Sequence, residues 1–182
     1  ALFNRIAIPR ALPATQKEAL TTLYLLQGLA YSDKKEQFLT PLADYNRDYP
    51  QSYEGHLMLA EYYAIADSAF EKARDEWDTA LRLAPNSDDV YYNISKVFVS
   101  AVARYARNDE TAMAFVDCAI ENIDKALSVK SEPLYIQHKA ELLFAKGKYA
   151  EAFDCYVALS NTNMSSADVY AAASKCKEAL GE

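Results

Sequence analysis

The sequence predicts an all-α fold, a solenoid of about four helical hairpins closed by one further helix, and three observations carry that expectation. The 182 residues contain only 4 Gly and 6 Pro, too few chain-breaking residues for a many-stranded sheet. Helix start and stop signals recur in consecutive pairs along the chain. The stretch from Tyr135 to Tyr156 then places small, large and turn residues where two packed antiparallel helices need them. Ala140 is small where the helices approach, Leu143 fills the seam, Gly147 permits a left-handed turn, and Ala152 with Tyr156 completes the facing helix.

In chain order, residues 1–14 form an N-terminal segment whose apolar Leu2, Phe3, Ile6 and Ile8 suit either the end of a preceding helix or an extended strip on the first hairpin. The first hairpin, 15–49, opens with a capping box at Thr15-Gln16-Lys17-Glu18 on a helix reaching about Tyr31, and Asp33-Lys34-Lys35-Glu36 opens its partner. Pro41 predicts a kink near Thr40, or a restart with Thr40 as N-cap. The second hairpin, 50–85, runs from about Ser52 to Ala66, then from a cap at Ser68-Ala69-Phe70-Glu71 to Leu83, and Pro85 closes it. The third, 86–130, is long: 24 positions separate its small residues Ser95 and Ala119, against 12 between Ala140 and Ala152 in the fourth. Val99, Val102 and Tyr105 keep helical spacing, so the extra residues predict two lengthened helices. The fourth hairpin spans 131–163, and the last helix, 164–182, is capped by Ser165 or Ser166 and stopped by Gly181. Having no partner helix, that last element reads as the cover for the final apolar face of a single repeat domain.

The small anchors Gly28, Ala60, Ser95 and Ala140 recur at intervals of 32, 35 and 45 residues, and Ala80-Leu81-Arg82-Leu83-Ala84-Pro85-Asn86 ends a unit with proline. With the insertion allowed for, the chain resembles the tetratricopeptide repeat family, whose period is about 34 residues. The likeness is strongest in the second and fourth hairpins and weakest in the first. It implies a right-handed α-α superhelix whose concave groove is lined by the first helix of each pair. Carried onto this sequence, the groove rows contain Leu25 and Leu29, then Glu54, Leu57, Glu61 and Ala64, then Asp89, Tyr92, Lys96 and Val99, and finally Leu134, Gln137, Glu141 and Phe144. The resemblance marks Leu57, Glu61, Tyr92, Lys96, Gln137, Glu141 and Phe144 as the candidate partner-binding residues. Its carboxylate-clamping members use lysine, arginine and asparagine in these rows. Here the corresponding positions include Leu25, Leu57, Tyr92 and Gln137, which argues against a receptor for chaperone tails.

Nothing in the sequence is arranged for catalysis. His56 and His138 are the only histidines, and neither has a second ligand at i+3 or i+4, so no metal site is expected. No phosphate-cradling glycine loop or nucleophile motif occurs, and no cofactor is implied. Asp67 with Glu71 and Asp75 with Asp78 suit helix capping and solvated pairing better than acid–base work. Asn93-Ile94-Ser95 and Asn163-Met164-Ser165 match the glycosylation triplet, the first of them inside a helix. Cys118, Cys155 and Cys176 are odd in number, have no CxxC spacing and sit in apolar stretches, as buried structural thiols do.

A net charge of −7 and a pI near 4.9 disfavour nucleic acid as a partner, because phosphate binding needs a basic stripe. No run approaches 18 apolar residues, so no membrane span is expected. The start at Ala1 suggests a processed protein or a fragment, and unpaired thiols favour a reducing compartment. The location is then cytoplasmic, or the bacterial cell envelope or periplasm if an upstream signal peptide was removed. The functional expectation is a non-catalytic scaffold binding a protein or peptide with apolar anchors and basic character. Its alternatives are a self-assembly module, or the accessory repeat domain of a longer enzyme or envelope protein, and the oligomeric state stays open. Two bland or rival readings stand beside the groove. The tyrosines and leucines of the first helices can pack against the next repeat, and Arg104 with Arg107 makes a basic patch on the inserted third hairpin.

Overall fold

A computed structural model of the chain describes residues 12–66, 69–106 and 108–181, with the backbone alone at 103–105. The described residues form helices and turns, with no strand among them. They fall into two compact units, Ala1–Pro85 and Asn86–Glu182.

In the first unit α1 (Ala14–Leu26) follows Pro13, whose φ of −51° and ψ of 145° set the chain up to enter a helix. The helix therefore begins one residue before Thr15, and the expected capping box does not form: no side chain caps this end. α1 tightens into a 3₁₀ segment, Gln27–Tyr31, and a turn leads to α2 (Glu36–Asp48). Pro41 lies within α2, which begins at Glu36, so the restart at Thr40 is not taken. α3 (Tyr53–Glu61) loosens into a π-helical segment, Tyr62–Ala66, and α4 (Phe70–Leu83) returns along it; the expected cap residue Ser68 lies outside the described residues, as do 1–11. Leu20, Leu23, Phe38, Leu42 and Met58 fill the core, with Tyr45 and Tyr62 at its margin. α2 and α3 come so close that a Cβ on Gly55 would lie 1.7 Å from Asn46 Oδ1, so only glycine fits there without a shift.

A buried polar chain runs beside this contact. Ser52 Oγ gives its single proton to the buried carboxylate of Glu54, so Tyr45 donates to Ser52 at 2.8 Å and accepts from Gln16 Nε2 at 3.1 Å. Ser52 thus serves the core rather than capping α3 with its side chain.

The second unit contains α5 (Asp88–Tyr105), α6 (Asp109–Val129), α7 (Pro133–Ala145), α8 (Tyr149–Ser160) and α9 (Ala167–Leu180). Its helix ends follow local chemistry. Ser87, Asn108 and Ser166 accept hydrogen bonds from the backbone N–H of Val90, Thr111 and Val169, and Pro133 occupies the first turn of α7. Gly147 and Gly181 take φ of 79° and 80°, the left-handed turns that end α7 and α9. The residues inserted in the third pair appear as length, 18 residues in α5 and 21 in α6 against 13 and 12 in α7 and α8. Ser95, Ala119, Ala140 and Ala152 are fully buried where the helices cross, and α9 covers α8 through Val169 and Cys176.

Candidate functional site

Within the second unit α5 and α7 lie side by side and point the same way. Near their starts the Tyr135 hydroxyl donates to Asp88 Oδ2 at 2.9 Å and reaches Asp89 Oδ1 at 3.4 Å. One turn on, the rings of Tyr92 and Tyr135 lie 4.8 Å apart. Further along, Ser95 Oγ lies 3.0 Å from His138 Nε2, and Tyr92 meets the His138 ring edge-on at 5.5 Å. Burial, together with Asp88 and Asp89, pushes the Tyr135 phenol well above its ordinary range, so it remains a donor. These contacts join α5 to α7 along one side.

The sequence-derived residues are distributed unevenly over it. Tyr92, at 8% exposed, is spent on the α5–α7 contact and offers a partner almost nothing. Leu57 in the first unit, at 4%, is equally covered. Of the positions carried over from the resemblance, packing of neighbouring side chains covers Leu57 and Tyr92. Lys96 lies over the Tyr92 ring at 5.3 Å, a cation–π contact. On α7, Gln137 Nε2 donates to Glu141 Oε1 at 2.9 Å, one turn later, and half-buried Phe144 meets the Tyr149 ring edge-on at 5.2 Å. Val99 and Leu134, in the same stripes, are exposed.

In the first unit, Glu61 accepts from Gln27 Nε2 and from the Tyr31 hydroxyl, both at 2.8 Å. Both carboxylate oxygens are thereby engaged, and burial followed by Glu61 pushes the Tyr31 phenol upward. Glu61 is a clamp between the irregular end of the first hairpin's leading helix and the second hairpin.

No group of three or more metal-ligating side chains occurs among the described residues. His56 Nδ1 lies 2.6 Å from Glu76 Oε2, and His138 serves the α5–α7 contact. Sequence inspection left His138 solitary because its partner Ser95 is 43 positions away; the signal available was Ser95 itself, a small polar residue at a helix crossing. Cys118, Cys155 and Cys176 are free thiols, each raised above its ordinary pKa chiefly by burial. Asp75 and Asp78 are exposed on α4, whereas Asp67, Arg107 and the Arg104 side chain lie outside the described residues. Asn93 is buried within α5, and Asn163 is exposed in the turn before α9. Among the described residues no helix is long and apolar enough to cross a membrane.

The pairing of helices across small residues, with Gly147 in a left-handed turn, decides the fold. These are antiparallel helical hairpins, the arrangement that the resemblance to tetratricopeptide repeats implies. No protein-family model and no curated protein matches the chain. Among solved structures it is similar to a thermophilic tetratricopeptide-repeat protein of Thermus thermophilus, with 17% identity and a TM-score of 0.46, over 92% of this chain and 100% of the other.

Proposed function

We propose that the chain is a non-catalytic scaffold that binds a protein or peptide on the face shared by α5 and α7. The observation supporting this reading is the fixed contact of the two first helices through Tyr92, Tyr135, Ser95 and His138, beside which Val99, Leu134, Gln137, Glu141 and Phe144 keep surface toward solvent. A surface already held rigid loses little conformational freedom when a partner binds. Apolar Val99, Leu134 and Phe144 would anchor apolar side chains, and Glu141 on a chain of net charge −7 favours a partner with basic residues nearby. Leu57 and Tyr92 are left out of this surface because both are covered, Glu61 because it belongs to the first unit and accepts from Gln27 and Tyr31, and Lys96 because it lies over the Tyr92 ring.

The test is affinity capture from native lysate with the wild-type chain and a Leu134→Ala/Glu141→Lys/Phe144→Ala variant whose helicity and melting are unchanged. A protein retained by the wild type and lost by the variant supports this face. Retention by both places binding elsewhere and overturns the assignment.

A further inference from the structure

The glycosylation triplet occurs twice in the chain, and the fold treats its two copies oppositely. Asn93-Ile94-Ser95 lies inside α5. Asn93 is 8% exposed and its Nδ2 donates to the Asp89 carbonyl at 2.7 Å, while Ser95 is fully buried and its hydroxyl donates to the Ala119 carbonyl at 2.7 Å. The amide and the hydroxyl through which the triplet is read are both held in the packing, and a transferase reaches them only when α5 unwinds. Asn163-Met164-Ser165 instead occupies the turn between α8 and α9. The Ser165 N–H donates to the Thr162 carbonyl at 3.2 Å and closes that turn, with Asn163 and Met164 as its central pair. Met164 is half-buried against the core of α7, α8 and α9, which leaves Asn163 and Ser165 exposed on either side of it. Neighbours supply the order of the turn: Thr162 Oγ1 accepts from the Met164 N–H at 3.1 Å and donates to the Leu159 carbonyl at 2.8 Å, and Ser166 caps α9. The Ser165 hydroxyl donates to the Tyr170 hydroxyl at 3.3 Å, a long bond between exposed groups that a competing partner replaces at little cost.

We infer that Asn163, presented by the turn between α8 and α9, is an acceptor for an asparagine-linked glycan in the folded chain, and that burial silences Asn93. The donor substrate is an oligosaccharide joined to a lipid through pyrophosphate. In the transfer a bond forms between Asn163 Nδ2 and the anomeric carbon of the sugar. The bond from that carbon to the pyrophosphate oxygen breaks, its electron pair leaves on the lipid pyrophosphate, and one amide proton passes to a base of the transferase. The product is bulky and hydrophilic, and an exposed turn takes it without displacing α8 or α9. Asn163 is not among the residues proposed for the face shared by α5 and α7, so the acceptor site stands apart from partner binding.

The experiment incubates the folded full chain with a single-subunit oligosaccharyltransferase that makes no demand on flanking residues, supplied with its lipid-pyrophosphate-linked oligosaccharide, and maps the product by peptide mass spectrometry. Peptides of residues 89–99 and 159–169 serve as unfolded acceptors. Both peptides should be modified, whereas the folded chain should carry the glycan at Asn163, with Asn93 slower by more than about tenfold because it reacts only through opening of α5. Asn163→Gln and Ser165→Ala should each abolish transfer to the turn, the second while leaving the acceptor amide in place. Refusal of peptide 159–169, a folded chain left unmodified while that peptide accepts, or equal transfer at Asn93 and Asn163 overturns the site. Refusal of peptide 89–99 alone overturns burial as the reason for the silence of Asn93. If a variant does not fold, the mapped position of the glycan on the wild-type chain decides.

Discussion

The two units solve the same packing problem by different means. In the second, α5, α6 and α9 begin with a side chain that accepts the N3 amide, and α7 begins with proline. In the first, none of α1 to α4 has a side-chain cap, and α1 and α3 end in 3₁₀ and π segments. Its helices are positioned by tertiary contacts instead: the Phe38 core, the close approach at Gly55, the polar chain from Gln16 to Glu54, and the Glu61 clamp. Helix ends specified locally tolerate loss of distant packing. Ends specified by packing do not.

The largest way to press on this difference is Phe38→Ala. Phe38 is fully buried, and removing its ring should cost about 3–5 kcal/mol by chemical denaturation. Hydrogen exchange should place the loss in α1 to α4; an equal loss through α7 to α9 would mean that the contrast has no energetic counterpart.

Next in size is Gly55→Ala. The added methyl collides with Asn46 Oδ1 and crowds the Tyr45 ring, so overpacking should outweigh alanine's better helix propensity and destabilise by about 1–2 kcal/mol. Adding Asn46→Ala should return part of that loss, and a double-mutant cycle showing no coupling would argue that α2 and α3 do not touch there as described.

The smallest effects distinguish the units most directly. Asn108→Ala and Ser166→Ala should each cost about 1 kcal/mol in thermal or denaturant unfolding, because each leaves an N3 amide without its partner. Thr15→Ala should cost less than about 0.5 kcal/mol, since Thr15 caps nothing and is exposed. Equal costs at the three sites would erase the distinction.

The same contrast explains what the sequence made legible. Ser166, Pro133, Gly147 and Gly181 act within a turn of themselves, so their roles can be read from neighbouring residues alone. Thr15 misleads because Pro13 fixes the chain first, and the role of Ser52, which donates to Glu54 and accepts from Tyr45, depends on a residue outside its own turn. The 3₁₀ and π segments have no signature in residue spacing, and Gln27 and Tyr31 of the first both bond to Glu61, the last residue of α3 before the second. The stripe proposed for binding on α5 and α7 comes from the family resemblance. Which of its members stay available is not legible there, because Tyr92 is covered by Tyr135 and His138, residues more than 40 positions away.

Cys176 lies on α9, fully buried against the α8 core, and its thiol is held up by that burial. A thiolate-selective alkylating reagent therefore reaches it only while the last helix is lifted, and the labelling rate becomes a clock for that opening. No probe need be introduced, because the chain carries its own stopwatch for the fraying of its terminal helix, with half-exposed Cys118 and Cys155 as faster hands on the same dial.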